Sequence, residues 1–405
     1  MRLIHTAMVI ALLAGVAGCN DTIESFDPSK ISNKVEQPLP AKILQDMAAK
    51  DMDRNSPIMI RILKEEGVLE IWKEKRNKRF EKIVEYQICA WSGRLGPKKK
   101  EGDRQAPEGF YSLSPAHLNP NSKYYLAINT GFPNRFDAAN GRTGSNLMIH
   151  GACSSSGCYS MTDAQILEIY AFARDAFKGG QTTIQLQALP FRMTAENMAR
   201  HRLSTNYDFW KMVKVGYDQF EVTKRPPEVN VCERRYVFNA EPESGSFSPI
   251  GTCPPMTQPP ALVSAMQRYD AAYAKDYDKA LKKYDDKVWY DPTEAERKAI
   301  VAKLRKKSDL AYAPTGSALK AGRLMSIEDF ERVQGGASTT ETTASTTPAT
   351  PAASAGPTTS AAPQQAPAAN AIPVPTPNPN GPQVAEQQPQ QAAPAAKKPW
   401  WMLMK

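Results

Sequence analysis

Hydrophobic residues recur at every second position over several stretches of the chain, and this spacing predicts strands. Ile58, Ile60 and Ile62 form the first run, and a second run begins at Val68 after a Glu-Glu-Gly break. A period of two sends successive side chains to opposite faces of a sheet, and a short polar break is typical of a hairpin. Further strands are predicted at 80–91, 124–130, 147–149 and 182–189.

A longer apolar period predicts a well-marked helix soon after Met161. Thr162 and Gln165 have the spacing of a capping box, and Gly179 ends the pattern. The face expected to be buried carries Ile166, Ile169, Tyr170, Ala173 and Phe177. Shorter helices are predicted at 40–52, 194–200 and 206–213.

Residues 216–334 are expected to form a C-terminal extension that contains a helical hairpin. Residues 261–288 carry a stripe of tyrosines at helical spacing. We interpret this stripe as a packing face, with a binding surface as the alternative. A second helix is predicted from Asp291 to about Ser308, because an aspartate, a proline and an acidic residue follow in the order of a helix start.

Composition changes in the last part of the chain. The protein has 405 residues and 33 prolines, and residues 335–405 consist largely of Ala, Pro, Thr, Ser and Gln. Such a segment buries too little apolar surface to offset its ordering entropy, so we predict a disordered tail.

The first residues predict export. An arginine and an apolar run have the form of a signal peptide, which we assign to 1–18. The sequence V-A-G-C that ends at Cys19 resembles a bacterial lipobox, which implies that Cys19 becomes the lipidated N-terminus. An ordinary signal peptide with a chance cysteine is the alternative. Asn20 in place of aspartate favours the outer membrane over the inner one, and 19–55 would be a tether and short helix facing the periplasm.

The net charge is +9, which raises the question of nucleic acid. The chain has no zinc-finger spacing and no RNA-binding aromatic signature, so we exclude nucleic acid as a partner. A mildly basic surface also suits an anionic cell wall or membrane.

Lys98, Lys99 and Lys100 form a basic patch that we interpret as a solvated hairpin tip, with a substrate contact as the alternative. No C-x-x-C pair is present, and no metal or cofactor is expected.

The stretch from Ile149 to Met161 holds the main candidates for chemistry. His150 and Cys158 are eight residues apart, and glycines stand beside both. A thiol and an imidazole are the minimum requirement for a cysteine nucleophile with its base. The other histidines beyond the signal peptide, His117 and His201, lie in polar surroundings. Because Cys158 precedes the predicted helix, the helix dipole and backbone N–H groups are expected to lower its pKa.

The cysteine count also predicts a free thiol. The chain has six cysteines, and an odd number remains once the lipobox cysteine is modified. Cys232 and Cys253 bracket a polar loop and form the predicted disulfide. Three roles of Cys153 stay open: a buried thiol, a disulfide partner of Cys89 and a redox lock on Cys158.

The sequence I-H-G-A-C-S-S-S-G-C-Y-S-M at 149–161 resembles the catalytic motif of YkuD-type L,D-transpeptidases. Further blocks resemble the YafK-like branch of these murein L,D-transpeptidases: I-C-A-W-S-G-R-L-G-P-K at 88–98, P-E-G-F-Y at 107–111, G-F-P-N-R-F-D at 131–137, G-R-T-G-S at 141–145 and P-F-R-M-T at 190–194. The resemblance covers roughly residues 56–215. It implies an α+β fold with a mainly-β catalytic domain over that range.

The resemblance also implies roles for particular residues. Cys158 would be the nucleophile and His150 its base, and the backbone N–H groups of Gly157 and Cys158 would form the oxyanion hole. Many members carry an arginine two residues after the cysteine, where this chain has Ser160. The substrate-binding candidates are Ser155, which stands at the serine of the S-x-G-C pattern, Arg142 and Arg192.

The implied reaction forms a thioester between Cys158 and a peptidoglycan tetrapeptide stem, with release of D-alanine. An amine of another stem, or of a cell-wall-linked lipoprotein, would then take the acyl group. Attack by water would instead make the protein a carboxypeptidase or an amidase that cleaves peptidoglycan or murein–lipoprotein links. A non-catalytic cell-wall scaffold is the third alternative.

Overall fold

The structure, a computed structural model, describes residues 27–28, 31–155, 157–293, 295–296, 299 and 322–340. The predicted signal peptide, Cys19, most of the predicted helix at 291–308 and the tail beyond residue 340 lie outside these residues.

Short strands and longer helices alternate along the described chain. The strands are β1 (Ile58–Leu63), β2 (Val68–Glu74), β3 (Phe80–Gln87), β4 (Ala90–Trp91), β5 (Gly109–Leu113), β6 (Leu118–Asn119), β7 (Ala127–Asn129), β8 (Met148–His150), β9 (Tyr159–Ser160), β10 (Ile184–Leu189), β11 (Val229–Cys232), β12 (Arg235–Phe238), β13 (Glu241–Pro242), β14 (Met256–Thr257), β15 (Lys287–Tyr290) and β16 (Arg323–Ser326). The helices are α1 (Ala41–Ala49), α2 (Arg135–Ala139), α3 (Asp163–Lys178), α4 (Ala195–Arg200), α5 (Tyr207–Thr223), α6 (Pro260–Lys283) and α7 (Ile327–Thr340).

The first sheet contains the hairpin that the alternating pattern predicted. β1 and β2 pair antiparallel, with Leu63 opposite Val68 at the turn. β10 joins β1 in parallel, and the strand order is β3-β2-β1-β10-β5. Every residue of β1 is buried, including Arg61, because α5 covers the face opposite the main core. Arg61 pairs with Glu221 of α5 at 2.6 Å and lies against the Phe220 ring.

The second sheet has the order β4-β9-β8-β7-β6. β8 and β9 are neighbours at its centre and run parallel. Helix α3 contacts β1 of the first sheet and both β7 and β8 of the second. Its apolar face joins the inward residues of both sheets in one core. The structure is therefore α+β, as predicted.

Helix α3 begins and ends where its capping box and its terminal glycine predicted. The Thr162 hydroxyl accepts the Gln165 N–H at 3.2 Å, and the Gln165 side chain accepts the Thr162 N–H at 3.0 Å. Gly179 follows the last turn, and a Cβ there would stand 1.9 Å from the backbone oxygen of Asn55. This close approach requires glycine at that position.

The tyrosine stripe of α6 is a packing face, as we interpreted it. Tyr273 lies over the Lys214 ammonium of α5 at 3.5 Å from the ring centroid. The Tyr269 hydroxyl donates to Asp218 at 3.1 Å, and the Tyr207 and Tyr277 hydroxyls are 2.8 Å apart. The extension is thereby docked on the end of the catalytic region.

Two boundaries in the extension differ from the sequence prediction. The helix predicted at 261–288 ends at Lys283, and residues 287–290 form β15, paired with β16. Val288 and Tyr290 are buried there at every second position, as in a strand. The pairing with a distant strand outweighs the local preference for helix. Helix α7 continues to Thr340, so 335–340 are not part of an irregular tail. No helix in the described ranges is long and apolar enough to cross a membrane.

Candidate active site

His150 ends β8, and Cys158 directly precedes β9, the parallel neighbour of β8. Ile149 of β8 is paired with Tyr159 of β9, and both side chains point into the core. His150 and Cys158 flank this pair, so both lie on the opposite face of the strands. Neighbouring strands and a two-residue offset place their Cα atoms about 8 Å apart. The fold thus brings the imidazole and the thiol to one face of the second sheet.

His150 is buried and oriented by the residue after it. Its Nδ1 lies 2.6 Å from the Gly151 carbonyl oxygen, which can only accept, so Nδ1 carries the proton. Nε2 therefore holds the lone pair of a base. The Tyr124 ring lies over the imidazole with its centroid at 4.6 Å. Burial lowers the pKa of His150, so the ring is neutral at neutral pH.

Cys158 is a half-buried thiol, and it is the free cysteine of the described chain. Its Sγ lies 3.7 Å from the backbone oxygen of Asn146. Burial raises the pKa of Cys158, while a backbone hydrogen bond from Met148 and the charge of Lys98 lower it in part. The prediction that a helix start lowers this pKa is wrong. Strand β9 stands between the thiol and α3, which begins only at Asp163.

A disulfide fixes the loop that carries the thiol. Cys89 and Cys153 are bonded, with Cα atoms 5.2 Å apart, which resolves the alternatives left open for Cys153. Ala152 and Cys153 both have left-handed backbones, and the Ala152 N–H donates to Asp163 at 2.8 Å. The predicted Cys232–Cys253 disulfide is also present. Residues 151–155 are therefore anchored to the segment that leads into β4.

Ser155 organises the backbone of Cys158. Its hydroxyl accepts the Cys158 N–H at 3.1 Å and donates to the Cys158 carbonyl oxygen at 2.6 Å. The hydroxyl oxygen of Ser92 is 3.1 Å from that of Ser155. Gly157 has a φ of +113°, which favours glycine. Hence the Cys158 N–H, predicted to face an oxyanion, is bonded to Ser155 here, and it would serve an oxyanion only after that bond opens.

The two arginines predicted to bind substrate are engaged by carboxylates elsewhere. Arg142 pairs with Asp137 at 2.8 Å and lies over the Phe136 ring. Arg192 pairs with Glu70 at 2.6 Å. Both pairs give these guanidinium groups structural partners, and neither group contacts Cys158.

Ser160, at the position of the family's arginine, is fully buried in the second sheet. Its hydroxyl donates to the Ala90 carbonyl oxygen at 3.0 Å. This position therefore offers no side chain to a substrate.

Lys98 lies beside the site, which the interpretation of its patch as a solvated hairpin tip did not predict. It is buried, and its ammonium pairs with Asp103 at 2.5 Å and donates to the Lys100 carbonyl oxygen. A Cβ on Gly144 would stand 2.5 Å from Lys98 Cε, which places this lysine against the loop that ends near Asn146. The basic patch is thus only partly a solvated tip, because its first lysine faces inward. The G-P-K sequence of the 88–98 block was the available signal.

No group of three or more His, Cys, Asp or Glu that could hold a metal ion occurs among the residues that the structure describes.

Comparisons with known proteins find relatives of the region that carries these residues. The family model "YkuD: L,D-transpeptidase catalytic domain" matches residues 60–184. The Escherichia coli K-12 protein YafK, provisionally assigned as an L,D-transpeptidase, is 49% identical over 184 residues, which are 45% of this chain and 74% of that protein. Its counterpart in Escherichia coli O157:H7 gives the same values.

Among solved structures, a variant of the helical cell shape determining protein Pgp2 of Campylobacter jejuni is 21% identical, with a TM-score of 0.28. The match covers 45% of this chain and 64% of that one. Bd1075 of Bdellovibrio bacteriovorus is 27% identical, with a TM-score of 0.24, over 34% of this chain and 49% of its own.

Proposed function

This chain belongs to the YkuD family of L,D-transpeptidases, and we propose that it acts on peptidoglycan stem peptides through a thioester on Cys158. The observation that carries the proposal is the placement of one neutral imidazole at the end of β8 and one unpaired thiol directly before β9, the parallel neighbour of β8. Disulfides occupy the other four cysteines of the described chain, so Cys158 is the thiol available for acylation.

The first half-reaction would begin with proton transfer from Cys158 Sγ to His150 Nε2. The thiolate attacks the carbonyl carbon between diaminopimelate and D-alanine. The tetrahedral oxyanion then collapses, the C–N bond breaks, and the imidazolium gives its proton to the departing amine. The products are free D-alanine and an acyl thioester on Cys158, with His150 neutral again.

In the second half-reaction an amine attacks the thioester carbonyl. His150 accepts a proton from the amine and returns it to the leaving sulfur, so the enzyme ends as it began. An amine from a second stem peptide would give a crosslink between two diaminopimelate residues. An amine from a cell-wall-linked lipoprotein is the other acceptor that we propose. Water in place of the amine would make the enzyme a carboxypeptidase or amidase, and the half-buried thiol leaves this hydrolytic alternative open.

We also propose that the protein works in the cell envelope, facing the periplasm, held to the outer membrane by a lipid on Cys19. Support comes from the two disulfides, since such bonds persist in oxidising compartments. The lipobox-like sequence supports the anchor.

Analysis of muropeptide products tests transfer against hydrolysis. The purified protein is incubated with tetrapeptide-containing muropeptides, and the products are separated and weighed by mass spectrometry. We expect crosslinked dimers and free D-alanine with the wild type, and neither with Cys158→Ala. Tripeptides without dimers would establish the hydrolase, and release of D-alanine by Cys158→Ala would contradict the proposed site.

A further inference from the structure

The site as described has a thiol and a base but lacks an assigned partner for the substrate's carboxylates. A tetrapeptide stem that ends in D-alanine carries a carboxylate directly beside the bond to be broken. The family position for an arginine is filled by the buried Ser160. The guanidinium groups of Arg142 and Arg192 are held by Asp137 and Glu70. Lys98 is buried and held by Asp103, so a cation for this carboxylate is expected from another part of the fold.

Arg104 lies directly beside the loop of the thiol. A Cβ on Gly157, the residue before Cys158, would stand 3.9 Å from both the Cα and the carbonyl carbon of Arg104. Arg104 has a left-handed backbone, with a φ of +52°. The two segments thus approach at van der Waals distance, and the long side chain of Arg104 starts from a point next to the nucleophile.

The backbone on either side of Arg104 is firmly held. Asp103 accepts hydrogen bonds from the backbone N–H groups of Lys99, Lys100 and Gln105 at 2.9–3.0 Å. The Gln105 amide donates to the Gly96 carbonyl oxygen at 2.6 Å. These bonds fix the backbone from which the side chain of Arg104 extends, so the backbone need not be ordered when a ligand binds.

Arg104 is also available to a ligand. It is exposed, and among the described residues its guanidinium has no carboxylate partner. Lys99 and Lys100 are exposed as well, but they line a cavity of about 600 Å³ between this loop and Trp289 of the extension. Arg104 is not part of that lining.

We propose that Arg104 is a substrate-binding residue that holds a carboxylate of the stem peptide through its two parallel N–H groups. An arginine matches a carboxylate in a bidentate way that a lysine cannot reproduce. The inference rests on the proposed function. The carboxylate is that of the terminal D-alanine or that of the D-centre of diaminopimelate, which share this chemistry.

The test uses three synthetic tetrapeptides: one with free carboxylates, one amidated at D-alanine and one amidated at the D-centre of diaminopimelate. The rate of thioester formation is measured as a function of peptide concentration for wild type, Arg104→Gln and Arg104→Lys. Arg268→Gln on α6, another exposed arginine, is the matched control. Alkylation of Cys158 by iodoacetamide checks that each variant retains an intact site.

We expect the wild type to show a KM about ten- to a hundredfold higher for one amidated peptide than for the free acid, the range of a charge-assisted hydrogen-bond pair. The peptide that loses affinity identifies the carboxylate. Arg104→Gln should bind that amidated peptide and the free acid equally weakly, with kcat little changed, and Arg104→Lys should be intermediate.

A folded Arg104→Gln or Arg104→Lys variant that discriminates as well as the wild type would overturn the assignment of Arg104. A wild type that forms no thioester with the free acid would instead contradict the proposed function. The two failures are distinguished by the wild-type reaction alone.

Discussion

Cys158 and His150 form a neutral pair in the resting protein. Burial raises the pKa of the thiol and lowers that of the imidazole, so each shift disfavours the charged form. The proton then has to move from sulfur to nitrogen during the reaction. This differs from cysteine enzymes in which a thiolate–imidazolium pair is preformed.

The pH dependence of alkylation tests the neutral pair. Since burial raises the thiol pKa above its ordinary value, the rate of reaction of Cys158 with iodoacetamide should increase about tenfold per pH unit from about pH 6 to beyond pH 8. Lys98→Met should slow alkylation at pH 8 by roughly threefold to tenfold, because it removes a charge that lowers that pKa. Lys275→Met on α6 is the control. A rate that levels off below pH 7 would show a preformed ion pair instead.

Residue-level roles were only partly accessible from the sequence. The motif predicted His150 and Cys158 as the catalytic pair, and the fold brings β8 and β9, next to which they lie, side by side. The sequence could not show that Ser155 bonds the Cys158 N–H or that Lys98 is buried beside the site. Both facts depend on loops that are close in space and distant along the chain.

The loop of residues 151–155, which leads to the thiol, depends on a crosslink. Cys153 anchors its middle to Cys89, and the Cys89 N–H donates to the Ser160 carbonyl oxygen at 2.9 Å. β4 in turn pairs with β9 next to the nucleophile. A change at the disulfide is therefore transmitted directly to the backbone of Cys158.

Removal of the disulfides should have unequal consequences. Cys89→Ser with Cys153→Ser opens a loop with a sequence separation of 64 and should lower the free energy of unfolding by about 4 kcal/mol. Cys232→Ser with Cys253→Ser opens a separation of 21 and should cost about 3 kcal/mol. Urea unfolding measures both losses.

The reactivity of Cys158 separates the two disulfides further. Only the first double variant should change the alkylation rate of the folded protein, because only that bond holds the loop of the thiol. Equal alkylation rates in wild type and both double variants would contradict the positioning role of Cys89–Cys153.

Elements with a local signature were predictable, and those that depend on distant partners were not. The capping box predicted the residue at which α3 begins, and the alternation of apolar residues predicted β1 and β2. The helix predicted at 261–288 overlaps the start of β15, because β15 depends on β16, a partner more than thirty positions later. Loop-borne features such as the Cys89–Cys153 bond have no periodic signal.

At the scale of the whole molecule, the extension supports the catalytic region. Asp291, just after β15, pairs with the Arg94 guanidinium at 3.4 Å and accepts the Leu95 N–H at 3.3 Å. The Arg94 side chain also donates to the Asp291 carbonyl oxygen at 2.6 Å. These contacts hold the start of the loop that carries Lys98 and Arg104. The C-terminal extension thus stabilises the loop that lies beside the site.

Mass spectrometry of the protein itself tests directly whether Cys158 is the acylated residue. Wild type, Cys158→Ala and His150→Gln are mixed with the tetrapeptide stem, quenched in acid and digested. We expect the wild-type peptide containing Cys158 to gain the mass of the stem acyl group without D-alanine. His150→Gln should acylate about a hundredfold or more slowly, and Cys158→Ala should carry no adduct. An adduct on another residue, or release of D-alanine by Cys158→Ala at the wild-type rate, would contradict this expectation.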